Sequence, residues 1–188
     1  MGNIFFSSDS HWGHNNVVRF CSRPFESVHH MDLQMIQRWN EIVKPNDEVY
    51  YLGDLTLSTN KTYVGDILNS LKGKIHFIKG NHDAFLKKRH YDSRFETIRD
   101  YHELNINNRK IILCHYPILS WRNQSHGSWH LQGHSHSNMN EKNKDLLRLD
   151  IGVDNFNYYP VSLEEVSSIL TKRQEEIKEL HRGDYPNA

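Results

Sequence analysis

Cysteine is scarce in this chain of 188 residues: Cys21 and Cys114 are the only two. Two are too few for a disulfide framework and lack the paired spacing of a zinc site, and Cys114, inside an apolar run, reads as a buried thiol compatible with a reducing compartment. Net charge is missing too. With 23 Lys+Arg against 23 Asp+Glu the balance is zero when His is neutral, which disfavours a protein that coats nucleic acid through bulk charge, so no stable nucleic-acid complex is expected. Long apolar runs are also lacking. Hydrophobic residues make up 37%, in runs of only a few, and Met1-Gly2-Asn3 leads straight into a strand pattern without a charged n-region or an apolar h-region. Neither membrane insertion nor export is therefore indicated, and the expected location is cytoplasmic. No internal repeat or low-complexity segment appears. The length fits one domain over 1–188, with 183–188 expected to form a loose tail. Histidine is the residue in excess, at 14, and imidazole is the commonest metal ligand.

The excess is concentrated at the ends of apolar runs. Ile75-His76-Phe77-Ile78 leads through Lys79 to Gly80-Asn81-His82-Asp83, the pattern of a buried strand delivering a loop to the top of a sheet, where active sites lie. Asn81 offers a carbonyl oxygen to a metal, His82 carries a proton near neutral pH, and Asp83 orients its neighbours. Alone, such a tetrapeptide reads more readily as a strand-to-helix turn with an Asn or Asp cap. Four more clusters repeat the arrangement. Ile4-Phe5-Phe6 precedes Asp9 and His11; Val49 to Leu52 precedes Gly53-Asp54; Ile111-Ile112-Leu113 precedes Cys114-His115; and Trp129-His130-Leu131 precedes Gly133-His134-Ser135-His136. Asp9 with His11, and His134 with His136, are two apart and so face the same way in extended backbone.

These five ordered blocks, D-x-H, G-D, G-N-H-[DE], H and G-H-x-H, resemble the calcineurin-like metallophosphoesterase superfamily over residues 4 to about 162. The resemblance implies an α/β fold, a two-sheet β-sandwich flanked by helices. It also implies two divalent ions, one held by Asp9, His11, Asp54 and His136, the other by Asp54, Asn81, His115 and His134, with Asp54 bridging. Mixed imidazole, carboxylate and carboxamide ligation suits Mn, the first choice here, or Fe, Ni, Co or Zn better than Ca or Mg. Paired Lewis acids neutralise a phosphate ester and lower the pKa of a bridging water, so the implied reaction is in-line attack by a metal-bridging hydroxide, with His82 binding phosphate and protonating the leaving oxygen. One position departs from the family: many of its phosphatases have, three residues after the bridging aspartate, an aspartate that pairs with the catalytic histidine, and this chain has Leu57. Either Asp83 is the stand-in or His82 acts without a partner.

The function expected is a phosphodiesterase acting on a nucleotide-type substrate: no inserted cap domain closes the site against diesters, and the aromatic, basic and amide groups of the loop from Tyr116 to Trp129 suit a base and its phosphate. The alternatives are a phosphomonoesterase and a non-catalytic binding module on a phosphoesterase scaffold. The second requires lost ligands, and none of the seven positions is lost. A purely structural metal site is disfavoured, since closed structural zinc sites use Cys and His rather than Asp and Asn.

The remaining chain reads as scaffold with several open positions. Ser27 to Lys44 carries Val28, Met31, Met35, Ile36, Trp39, Ile42 and Val43 at helical spacing, a core-facing stripe ended by Pro45-Asn46. A second helix is expected over about 60–71 with Gly73 at its C-cap, and a final one opened by a Ser162/Glu165 capping box, burying Leu163, Val166, Ile169 and Leu170. Ile98 to Leu104 and Lys110 to Cys114 flank a turn-rich spacer and read as a β-hairpin. His14 reads either as a substrate contact or as the cap of a short segment 15–20. Arg23 reads as solvated, with a phosphate contact as the alternative. The basic stretch from Phe85 to His90, with Arg94, reads as a solvated helix face or as an attractor of polyanions. Trp121 and Arg122 lie between His115 and His134, where Trp121 either stacks a nucleobase or packs over the sheet edge.

Overall fold

The computed structural model describes residues 2–184. The chain opens with β1 (Ile4–Ser7), passes through α1 (Asn15–Phe20) and α2 (Val28–Ile42) to β2 (Glu48–Tyr51), and through α3 (Lys61–Ser70) to β3 (Lys74–Ile78) and β4 (Phe95–Arg99). Then follow β5 (Tyr101–Ile106), β6 (Arg109–Cys114), β7 (Trp129–Gln132) and β8 (Arg148–Asp150), before β9 (Val161–Ser162) and α4 (Leu163–Asp184). The first sheet has the order β4-β3-β2-β1-β9, parallel except for β9, and the second the order β5-β6-β7-β8. This is the expected α/β sandwich with flanking helices.

Alternation along the central strands assigns each side chain to one of two cores. Phe5, Val49, Tyr51, Ile75 and Phe77 point to the helix side, where they meet Met31, Met35, Trp39, Val64 and Leu68. Phe6, Leu52 and Ile78 point the other way, against Ile111, Leu113, Leu131 and Leu149 of the second sheet and Val166 and Leu170 of α4. A strand buried on both faces has no polar side, which is why these strands read as short continuous apolar runs. Ser27 Oγ caps α2 by accepting from His30 N, Asn60 Oδ1 caps α3 from Tyr63 N, and Ser162 Oγ accepts from Glu165 N.

Three local expectations change. The strand read over 98–104 is divided at Asp100: Ile98 belongs to β4, parallel to β3, while β5 starts at Tyr101 in the other sheet and makes the hairpin with β6. Its turn, Asn107-Asn108, has φ of 51° and 60°, the left-handed pair that matches hairpin twist. β9 was not legible, because two residues hold no periodicity. Gly73 lies beyond the extended Leu71 that ends α3, and a Cβ there would strike Val43. Among the described residues no helix is long and apolar enough to cross a membrane. Gly183 and Asp184 continue α4, and the rest of the expected tail lies outside the described residues.

Candidate metal centre

The C-terminal ends of β1, β2, β3, β6 and β7 all empty into one region, and their loops are stitched together there. Asp9 N donates to Gly53 O at 3.0 Å, His11 N to Asp54 O at 3.1 Å, Gly133 N to His115 O at 3.0 Å, and Val153 N to Ser8 O at 3.1 Å. The last bond joins the edge of the second sheet to the first. Two glycines permit the closest approaches: a Cβ at Gly80 would strike Asp54, and one at Gly133 would strike Asp9 and Ser8. Five of the seven candidate ligands, Asp9, His11, Asp54, His134 and His136, have φ between 43° and 68°. Left-handed backbone is uncommon outside glycine, and it is maintained here by the stitched loops. It also corrects the extended-backbone account of the D-x-H and H-x-H pairs, because both members of each pair have left-handed φ.

The seven side chains gather in two groups, each drawing on both sheets. Asp9, His11 and His136 bring ligand atoms within 4.8 Å of one another, and so do Asp54, His115 and His134. His134 and His136 therefore fall in different groups. Asp54 lies between them, with Oδ2 3.7 Å from His11 Nε2 and 3.5 Å from His115 Nε2. His115 Nδ1 donates to Leu52 O at 2.7 Å, which leaves Nε2 as a lone pair, and that lone pair faces Asn81 Oδ1 at 3.1 Å. An imidazole lone pair, a carboxamide oxygen and a carboxylate oxygen thus converge with no proton to share, an arrangement that a cation resolves. In the other group His11 Nε2 lies 3.2 Å from His136 Nε2. Burial, with His136 and Arg23 nearby, pushes His11 down to about 2, so its ring is neutral and able to ligate. Burial raises Asp9 to about 8, the signature of a carboxylate group set deep in the protein without enough positive charge beside it. The donor set fits divalent cations.

A second layer holds these groups, and much of it was missed from sequence. Burial works against a charge on His136, but its bond to Asp154 and the nearby Cys21 raise it to about 10. Asp154 Oδ2 accepts from His136 Nδ1 at 2.8 Å, and the same carboxylate accepts from Arg23 Nε at 2.8 Å and Nη2 at 3.0 Å. Arg23 is accordingly neither solvated nor a phosphate contact. Its side chain is buried, Nη1 and Nη2 also donate to the carbonyls of Ser10 and Asp9, both at 2.7 Å, and Nη1 lies 3.4 Å from Met31 Sδ. The available signal was the run Leu147 to Val153, which ends in Asp154 as the other five runs end in polar clusters. Asp83 is corrected too. Its oxygens accept from Gly80, Asp54 and Leu55 amides at 2.7, 3.0 and 2.9 Å, so it clasps two ligand loops together instead of partnering the His82 ring. Burial raises it to about 6.

His82 is exposed at the mouth, its ring centroid 5.5 Å from that of His11, and its backbone N–H donates to Asp54 Oδ1 at 2.8 Å. It lines a cleft of about 240 Å³ with His11, His14, Phe20, Cys21, Asn81, His134 and His136. His14 stands at the N-cap of α1 but makes no capping bond with its side chain, and its ring faces this cleft. Trp121 is buried, donates to Ser128 O at 3.2 Å and packs on His130, so its ring is not free to stack a base. Arg122 bonds Glu103. In the basic stretch, Phe85 is buried and the backbone forms a 3₁₀ turn over Ala84–Lys88 rather than an α-helical face.

Residues 3–154 match the calcineurin-like phosphoesterase superfamily domain. An uncharacterized protein of the archaeon Methanocaldococcus jannaschii is 35% identical over 180 residues, which cover 92% of this chain and 93% of that protein. The Gene 66 protein of Mycobacterium phage L5 is 22% identical over 204 residues, 94% of this chain and 98% of its own length. Among solved structures, a protein of unknown function from Aquifex aeolicus superposes with a TM-score of 0.70 at 22% identity, over 90% of this chain and 100% of that one, which shows a shared fold.

Proposed function

The chain belongs to the calcineurin-like phosphoesterase superfamily, and on that premise we propose that it is a metal-dependent phosphodiesterase with a nucleotide-type substrate. Asp9, His11, Asp54 and His136 hold one divalent cation in this reading, Asp54, Asn81, His115 and His134 the other, and manganese is the proposed ion. The observation that carries it is Asp54 Oδ2, within 3.7 Å of an imidazole nitrogen of each group. When bound, the cations supply Lewis acidity, offsetting the charge of a phosphate ester and acidifying water.

The protein's own side chains do the rest. Asp54 holds the two groups in register, and Asp83 and the His82 amide keep its loop against that of Asn81. The His82 imidazole, exposed beside His11, delivers a proton to the departing oxygen, a role worth about 10²–10⁴ in rate. An open cleft leaves space for both arms of a diester. The test combines elemental analysis with turnover of bis(p-nitrophenyl) phosphate against p-nitrophenyl phosphate in Mn. Two ions per chain and a diester preference are expected, and Asp54→Ala should lose metal and nearly all activity. At most one ion at saturation, or undiminished turnover in Asp54→Ala, overturns the assignment; a monoester preference moves the enzyme to the phosphatases.

A further inference from the structure

Three Phe, Tyr or Trp side chains are exposed among the described residues, Phe20, Tyr101 and Tyr116, and two of the three border the candidate metal centre. Phe20 is 80% exposed and lines the cleft. It is followed at once by Cys21, whose Sγ lies 3.5 Å from His136 Nδ1, so it stands on the side of Asp9, His11 and His136. Tyr116 is 44% exposed, and its ring centroid is 4.9 Å from those of both His115 and His134, which places it on the other side. Each group of ligands thus has one accessible ring beside it.

The backbone that carries each ring is fixed. The turn after Phe20 is closed by Cys21 N to Val17 O at 2.9 Å and Arg23 N to Val18 O at 2.9 Å, and the buried Arg23 anchors it. Tyr116 is held from beneath by the buried His130, whose Nε2 lies 3.2 Å from Tyr116 O and 3.1 Å from Ile118 N. An apolar ring left in water by a well-fixed backbone keeps its hydrophobic surface for something that arrives later.

We propose that Phe20 and Tyr116 are the two arm-binding subsites of the centre, each taking one ring-bearing ester arm of a phosphodiester whose phosphate lies between the two ligand groups. The proposal rests on the phosphodiesterase reading and adds to it the substrate class: diesters with a flat group on both sides of phosphorus. Diesters with one small arm use only one ring.

The test uses the Mn-loaded full chain with two substrates of the same leaving group, bis(p-nitrophenyl) phosphate and methyl p-nitrophenyl phosphate. Phe20→Ala and Tyr116→Ala are each expected to lower kcat/KM on the first about 5–10-fold, chiefly through KM, the size of one aromatic stack. The double variant should lose roughly 25–100-fold on it, the product of two such stacks, but only about 5–10-fold on the methyl diester. Tyr116→Phe, which keeps the ring, should restore the wild-type value, and Mn stoichiometry should match the wild type in all variants. Equal losses on both diesters, or none, in variants that bind Mn normally overturn the subsites and leave the phosphodiesterase reading standing. A wild-type enzyme that cleaves neither diester overturns that reading, and the subsites with it.

Discussion

Asp154→Asn should weaken the fold and the metal centre together, by amounts that two separate assays read. The native carboxylate takes three bonds: Arg23 Nε on Oδ1, and Arg23 Nη2 and His136 Nδ1 on Oδ2. An amide of the same shape keeps one acceptor. With its oxygen in the Oδ2 position it retains two bonds and turns an NH₂ towards Arg23 Nε, and in the flipped orientation it retains only one. Even the milder arrangement leaves a guanidinium with 0% side-chain exposure without its carboxylate. Removing one partner of a buried ion pair costs about 3–5 kcal/mol, a large share of a total stability of about 5–15 kcal/mol. His136 also loses its charged acceptor, and such outer partners are worth about 10–100-fold in metal affinity. Urea unfolding with a chelator reads the first loss, and calorimetric Mn titration below the unfolding transition reads the second. An unfolding free energy within about 0.5 kcal/mol of wild type, the range of unremarkable surface substitutions, together with unchanged Mn affinity, would refute the reasoning that a buried chain from Arg23 through Asp154 braces His136.

Further outcomes follow from other parts of the molecule. Asp83→Asn removes one of three bonds to backbone amides and should cost about 1.5–3 kcal/mol, read as a lower Tm; an unchanged Tm would show that the clasp carries no load. His82→Ala should keep the wild-type metal content but slow a nucleotide ester by about 10²–10⁴, with a smaller loss on the nitrophenyl diester, whose leaving group needs no proton; equal losses with intact metal would remove His82 as the acid. Burial pushes His130 down to about 4, below its ordinary 6.5, against the pull of the Ile112 and Tyr116 carbonyls. Its neutral form therefore supports the fold fully above pH 6.5, and that support is lost as pH falls towards 4, at about 1.4 kcal/mol per unit. His130→Gln should flatten that slope in urea unfolding at pH 7 to 4.5, and parallel curves for the two proteins would count against it.

The legible features were those written in neighbouring residues. An apolar run that stops at a carboxylate or imidazole states both a strand and its polar end, and five such stops in order carry the family resemblance that implied the fold class and which side chains should meet. The stripe from Val28 to Val43 and the caps Ser27, Asn60 and Ser162 were legible for the same reason, since helical spacing and capping act within a few residues. Strand limits were less so: nothing in Ile98 to Leu104 tells the chain to change sheets at Asp100, because that choice depends on which edge is free once β3 is in place.

By itself, then, the sequence determined the five strands that end in candidate ligands, their order and the chemistry available at those ends. Tertiary structure decided everything that depends on which loops meet. It set Asp9, His11, Asp54, His134 and His136 in left-handed backbone, buried Arg23 against Asp154, gave Asp83 to three backbone amides and turned Trp121 inward while leaving Phe20 and Tyr116 outside. The physical reason is the same in each case. Burial and pairing are properties of groups brought together from distant positions, 131 residues apart for Arg23 and Asp154, and a charge or a ring carries no local mark of whether its partner will be protein or solvent.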